Sequence, residues 1–259
     1  MYTKLDIAKS LKNLKIKKND SLYVSSSFGM LGLPKFKIKN LDILSKIFIE
    51  ILQETIGEKG TIFAPTFSYS FSSQQNVNKN IFDVEKSKSK VGPFGEYLRK
   101  LNHSNRSPDP MVSIAGIGND SIILKKIGES SYGKNCTFEK LKYVKNLMIL
   151  NIGVGPNYIP FLHHLDYLSN CKHRYNKYFN GMIIKNNKST SVRWHYPVPY
   201  KKKWAESDGH KLAKLAEDKL ILNSKLGIGN IYVSNYNKMF NFCLKISKKN
   251  PWITATGKK

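Results

Sequence analysis

A layered α/β fold is what the sequence predicts, on three observations. Apolar residues recur at helical spacing behind a capping signal near the start, short buried strands stand on either side of the best helix in the chain, and strands and helices go on alternating toward the end. Strands that alternate with helices in this way pair in parallel within one layer, and helices cover the faces of that layer.

Thr3 followed by Asp6 forms the capping signal, with Leu5, Ala8, Leu11 and Leu14 at helical spacing around and behind it. Asn19 and Asp20 break that period, and residues 21 to 24 read as a strand running into Ser25-Ser26-Ser27-Phe28-Gly29. From 40 to 56, Leu41, Leu44, Ile47, Phe48, Ile51, Leu52 and Thr55 mark one helix face, and Gly57 stands where a C-terminal cap belongs. Residues 60 to 66 follow as a buried strand stopped by Pro65. Residues 68 to 90 are rich in Ser, Asn, Gln and Lys and read as a long surface loop, a kind of segment that is often functional. A helix is predicted over 93 to 101 with Pro93 in its first turn, then a turn-rich stretch over 104 to 110 and a strand over 112 to 117. The strand over 147 to 152 enters Gly153-Val154-Gly155-Pro156-Asn157, and Pro160 then starts a helix reaching about Leu168. Strands follow over 181 to 184 and 191 to 196, then a polar helix over 207 to 223, a strand over 228 to 234 and a helix over 237 to 246. No repeat or composition break divides the chain, so one domain over residues 1 to 259 is expected, with an N-terminal α/β part to about 155 and a C-terminal part from about 156.

With 259 residues and 41% hydrophobic content, the chain can bury a substantial core. Its apolar runs at 147 to 150 and 159 to 162 fall far below the roughly 20 residues of a membrane-spanning helix. The N-terminus carries Asp6 and has no apolar core followed by a cleavage site, so neither a membrane role nor secretion is expected. Cys136, Cys171 and Cys243 are widely separated and odd in number, which fits a reduced cytoplasmic protein. The formal net charge is +25, and 39 of the 43 basic residues are lysine. Only Arg99, Arg106, Arg174 and Arg193 supply guanidinium forks, and no groove-entering motif or run of interleaved aromatics accompanies the charge. Scattered lysine of this kind reads as compositional bias on a tolerant surface, and no nucleic-acid partner is expected. A positive field of this size still suits phosphate-bearing small molecules.

Within Phe161-Leu162-His163-His164-Leu165-Asp166, the spacing puts the His163 imidazole and the Asp166 carboxylate on one helix face. An amine that attacks an acyl carbon must shed a proton, and a neutral histidine is a natural acceptor near pH 7. By spacing alone the pair is more commonly a plain surface contact. His164 reads as packing, and no second ligand cluster supports a metal site.

Several separated segments add to this. Ser21-Leu22-Tyr23-Val24-Ser25-Ser26-Ser27-Phe28-Gly29-Met30-Leu31-Gly32, Gly60-Thr61-Ile62-Phe63-Ala64-Pro65-Thr66-Phe67-Ser68 and Arg106-Ser107-Pro108-Asp109-Pro110-Met111-Val112-Ser113 come first. Ser131-Tyr132-Gly133-Lys134-Asn135-Cys136-Thr137-Phe138 matches more loosely, and the 161 to 166 block is followed by Arg174-Tyr175-Asn176-Lys177-Tyr178-Phe179-Asn180-Gly181. In this order the segments resemble the aminoglycoside 3-N-acetyltransferase family, closest in pattern to its members that acylate nucleotide-linked amino sugars. Ser25 stands where that family usually has histidine, Asp166 where it has glutamate, and Cys136 carries no catalytic expectation.

The resemblance implies an α/β fold of mixed sheets flanked by helices, and an acyl-CoA-dependent N-acyltransferase working by direct attack with His163 as base and Asp166 as its partner. Acetyl-CoA or 3-hydroxybutanoyl-CoA is the implied cosubstrate, with Ser26, Ser27, Thr66, Arg106 and Ser107 toward it and no metal. Tyr69, Asp109, Arg174 and Tyr175 are the substrate-side expectations. A nucleotide-linked amino sugar for surface glycan biosynthesis is the expected acceptor, and the fold class admits a homodimer. The alternative acceptor is an aminoglycoside antibiotic, which as a polycation is better served by an acidic cleft than by a chain with 18 acidic residues against 43 basic ones.

Overall fold

In the computed structural model, residues 1–72 and 77–257 are described. Helix α1 (Lys4–Asn13) begins on a closed capping box, in which Asp6 N donates to Thr3 Oγ1 and Thr3 N donates to Asp6 Oδ2. Strand β1 (Ser21–Ser26), helix α2 (Leu41–Ile56) and strand β2 (Thr61–Pro65) form the expected parallel unit. Asn40 caps α2, and Gly57 closes it at φ 70°, a left-handed conformation that glycine adopts without steric penalty.

Four expectations change. The surface loop expected over 68 to 90 contains a strand, β3 (Ile81–Asp83), too short to show a period; residues 73 to 76 of that loop lie outside the described residues. After α3 (Pro93–Arg99), the turn-rich stretch holds the two-residue strand β4 (Asn105–Arg106), paired with β5 (Ile114–Ile117). Past α4 (Thr137–Lys140), β6 (Leu147–Ile152) and α5 (Leu162–Leu168), the two short strands expected near 181 and 191 are one long hairpin, β7 (Arg174–Lys185) and β8 (Lys188–Pro199). Its turn is Asn186-Asn187, both at positive φ, the twist that tight hairpins favour. The polar helix expected to reach 223 ends as α6 (His210–Leu220), because residues 221 to 226 pair with the next strand instead. These form β9 (Ile221–Leu226) against β10 (Gly229–Asn235), and α7 (Tyr236–Lys249) follows.

The main sheet has seven strands in the order β4-β5-β2-β1-β6-β10-β9, with β1 parallel to both β2 and β6 and antiparallel strands added outside them. A second sheet, β3-β7-β8, is likewise mixed. Alternation along the central strands divides the core. Leu22 and Val24 of β1 and Ile62 and Ala64 of β2 face α1, α2 and α3, where Leu11, Phe48 and Phe94 are buried. Tyr23 and Phe63 point to the other face, toward α5, α7 and the hairpin, with Leu165, Phe240 and Trp194. Among the described residues, no helix is long and apolar enough to cross a membrane.

Candidate active site

The three parallel strands end together, and their carboxyl ends open into a cavity of about 620 Å³. Such ends are where open α/β sheets bind ligands, because the loops that leave them diverge. Ser25, Ser26 and Ser27 line it at the end of β1, Pro65 and Phe67 at the end of β2, and Val154 just beyond β6. Gly153 lets the loops after β1 and β6 touch: it holds φ 69°, and a Cβ there would lie 2.3 Å from the Ser27 carbonyl oxygen. Tyr69, Tyr132 and Tyr196 contribute aromatic wall, and Ser207 and His210 form the side nearest α6.

His163, in the first turn of α5, enters this cavity with 23% of its side chain exposed. Its Nδ1 lies 3.0 Å from Asp166 Oδ2. A carboxylate only accepts, so Nδ1 carries the proton and Nε2 keeps the lone pair. Arg174, at the start of β7, reaches both partners: Nε ion-pairs with Asp166 Oδ2 at 2.9 Å, and Nη2 approaches His163 Nε2 at 3.2 Å. The same Nη2 donates to Ser207 Oγ at 2.7 Å, and Nη1 to the Pro197 carbonyl at 2.9 Å. Asp166 is buried, and its Oδ1 accepts from Thr254 Oγ1 and faces His173 Nε2 at 3.4 Å. Histidine and arginine partners hold its carboxyl well below the usual range against the cost of burial. Burial first, and then the Arg174 charge, push His163 down to about 4, so the imidazole is neutral at pH 7.

Surrounding groups fix this arrangement. His164 faces away and donates from Nδ1 to the Tyr132 carbonyl at 2.7 Å, which seats Tyr132 edge-on against the His163 ring at 5.1 Å. The packing role expected for His164 is thus also a positioning one. Asp166, Cys171 and His173 bring three metal-ligating atoms within 4.8 Å of one another. Arg174 and the Thr254 hydroxyl already occupy the Asp166 oxygens, so a cation there would meet a guanidinium.

The structure sorts the remaining site residues named from sequence. Ser26, Ser27 and Tyr69 line the cavity, and Arg174 touches His163. Thr66, Arg106, Ser107 and Asp109 do not line it. Arg106 is buried and donates to Thr66 O, Val84 O and Ser87 O, which ties three loops together; burial lowers it to about 9, still cationic at neutral pH. Thr66 Oγ1 bonds Ser113, and Ser107 Oγ accepts from Ile114 N. Asp109 Oδ1 accepts from Met111 N, Val112 N and Ser131 Oγ in a buried turn. Tyr175 lies on the hairpin against Tyr200, ring centroids 5.2 Å apart. Cys136 is buried, which raises its thiol to about 12 and leaves it inert. Sequence reasoning missed Tyr132, Tyr196, Ser207, His173 and Thr254; they come from five separate places in the chain, and no local pattern links them to His163.

Mixed sheets flanked by helices, with a histidine–aspartate pair at the ends of the parallel strands, meet a family match that makes the chain an N-acetyltransferase. The chain belongs to the aminoglycoside 3-N-acetyltransferase family, whose model matches residues 35–247. A search of curated protein sequences finds no match. Among solved structures, the chain is similar to AAC-IIIb in its binary form with CoASH, at 15% identity, covering 99% of each chain with a TM-score of 0.78. It is also similar to sisomicin-bound AAC-VIa, at 16% identity, covering 96% of this chain and 98% of that one with a TM-score of 0.77. The YokD protein from Bacillus subtilis matches at 19% identity over 96% of this chain and 94% of that one, TM-score 0.76. The fold class read from sequence is therefore the fold observed.

Proposed function

We propose that this protein transfers an acetyl group from acetyl-CoA to an amine of an aminoglycoside-type amino sugar, with His163 as general base. The observation that carries the reading is a neutral imidazole on the wall of the cavity at the ends of β1, β2 and β6, its Nδ1 proton held by Asp166 and its Nε2 lone pair met by Arg174 Nη2, which an incoming amine would displace. The amine lone pair attacks the thioester carbonyl carbon while Nε2 takes the amine proton. The C–S bond then breaks, and the imidazolium returns the proton to the departing thiolate, giving CoASH and the amide. Asp166 stabilises the imidazolium in between, and the Ser26 and Ser27 hydroxyls are the cavity donors suited to the thioester oxygen. An acyl-CoA-consuming enzyme with free cysteines suits the cytoplasm.

The sequence pointed first to a nucleotide-linked amino sugar, whereas the family match and the likeness to a sisomicin-bound enzyme weigh for the aminoglycoside. One observation keeps the former as a second reading. No Asp or Glu is among the described residues that line the cavity, so a polycationic acceptor finds no counter-charge on its walls, while Phe67, Tyr69 and Tyr196 offer faces for a sugar or base. A thiol-release assay with acetyl-CoA and 3-hydroxybutanoyl-CoA against aminoglycosides and nucleotide-linked 3- and 4-amino sugars decides between them. Turnover of aminoglycosides alone supports the first reading, turnover of nucleotide sugars alone replaces it with the second, and no turnover of any amine overturns both.

A further inference from the structure

The catalytic cavity has no Lys or Arg among its described lining residues, yet acyl-CoA carries a diphosphate and a further phosphate on its ribose. A nucleotide-linked acceptor would add two more. Phosphates of a substrate whose reactive end lies at His163 therefore need their counter-charge outside this cavity.

A neighbouring groove of about 380 Å³ supplies it. Lys79, Lys88 and Lys90 line the groove with the hydroxyl-bearing Ser68, Ser70 and Ser87, and no carboxylate is among its described lining residues. Tyr69 lines both spaces. Two chain segments also pass from one to the other: Phe67 lines the cavity and Ser68 the groove, and Lys90 lines the groove and Val91 the cavity. Tyr69 is thus a wall that the two spaces share.

The groove is built on a fixed frame. Lys90 N donates to the Phe67 carbonyl at 2.8 Å, Ser70 N to the Pro110 carbonyl at 2.7 Å and Tyr69 N to the Met111 carbonyl at 3.0 Å. Arg106 grips its floor from below through the Ser87 and Val84 carbonyls, placing a buried cation behind the lysines. Glu96, bonded to Ser89 N in the middle of the lysine-bearing segment, turns its charge into Arg99 and Lys100. Tyr69 itself sits at φ 50°, a left-handed conformation that costs a non-glycine residue energy and that clusters at ligand sites.

We infer that this lysine–serine groove is a phosphate-binding annex of the catalytic cavity, which holds the phosphate groups of a substrate while its reactive end reaches His163. The inference deepens the proposed function and rests on it for the choice of substrates. The ammonium groups are the donors such a site uses, since Ser68 Oγ donates to the Pro110 carbonyl and Ser70 Oγ to Ser68 Oγ, and Arg106, placed toward the cosubstrate by the resemblance, instead shapes the loop that carries the lysines.

The test is the triple variant K79Q/K88Q/K90Q beside a control, K9Q/K12Q on α1, that removes charge elsewhere. Calorimetric titration with 3′,5′-ADP, UDP and pyrophosphate reads binding without turnover. We expect at least tenfold weaker binding of one or more of these by the triple variant and no change in the control. Steady-state assays then separate the sources. A KM for acetyl-CoA raised at least tenfold, with kcat and the KM for S-acetylpantetheine unchanged, assigns the annex to coenzyme A. The same rise confined to a nucleotide-linked acceptor assigns it to the acceptor. Equal affinities and equal KM values in triple variant, control and wild type overturn the inference. Weakened phosphate binding in a protein that acylates no amine would sustain the annex while the proposed function falls.

Discussion

Arg174 Nη2 stands 3.2 Å from His163 Nε2, the nitrogen that takes the proton of the incoming amine in the proposed reaction. The guanidinium cannot accept that proton, so its effect on the base is electrostatic: it opposes a second positive charge on the ring and keeps the lone pair free of protons. Its other hold, on Ser207 Oγ at 2.7 Å, lets it remain in place when an amine takes over the Nε2 contact.

Replacing Arg174 with glutamine should therefore move the acid limb of the kcat/KM profile upward. The base works when neutral, and burial together with Arg174 holds it down to about 4. Removing the cation raises His163 toward its ordinary value of about 6.5, so R174Q loses rate at a pH where the wild type is still active. A limb that stays in place or moves down would show that Arg174 does not set the protonation of the base.

His163→Asn keeps hydrogen-bonding capacity but removes the proton acceptor. Turnover should fall on the order of 10²-fold or more, the scale for loss of a general base, with an unchanged melting temperature confirming the fold. Near-normal turnover by the folded variant would take His163 out of the role.

Thr254 donates its hydroxyl proton to Asp166 Oδ1 from the C-terminal turn, while His163 and Arg174 occupy Oδ2. That turn is itself tied down, with Asp208 N donating to the Thr254 carbonyl at 2.8 Å. Thr254→Val keeps the shape and deletes the donor, so Asp166 loses one of the contacts that aim it at His163. We expect kcat to drop about tenfold, roughly the 1–1.5 kcal/mol of one such bond, with KM for acetyl-CoA little changed. Thr254→Ser should recover most of the loss, and a serine variant as slow as the valine one would make the effect one of packing.

Asp109 predicts a pH dependence of stability. Burial raises its carboxyl to about 6 against 3.8 in the unfolded chain, even with three donors on Oδ1. The folded state thus binds the extra proton between these values. Its contribution is present below about 3.8 and is lost as pH rises through about 6, on the order of 3 kcal/mol at about 1.36 kcal/mol per unit. Urea unfolding at pH 4.5 and 7.5 should show wild type losing stability relative to Asp109→Asn at the higher pH. A constant difference between the two proteins would place the shift elsewhere.

Local signals were legible wherever a short stretch of chain carries its own physics. Thr3 with Asp6, Asn40 with Gly57, and the strand over 147 to 152 each match what formed, because caps and apolar periods are satisfied within a few residues. β3, β4 and β9 were not legible, since a strand of two or three residues has no period, and residues 221 to 226 show their strand character only beside β10. The long hairpin was read as two fragments because Tyr175, Lys177 and Tyr178 lie on an exposed stretch whose pattern alone does not mark a strand.

By itself the sequence determined that His163 and Asp166 share a helix face and that the chain alternates strands with helices, both matters of spacing. Only the tertiary structure decided what surrounds that pair. Arg174, Ser207, Tyr132 and Thr254 reach it from different segments, and the collective burial of these groups turns a surface-type histidine–aspartate contact into a neutral, oriented imidazole. Desolvation and cross-segment charge depend on three-dimensional distance, and a one-dimensional pattern does not contain that distance.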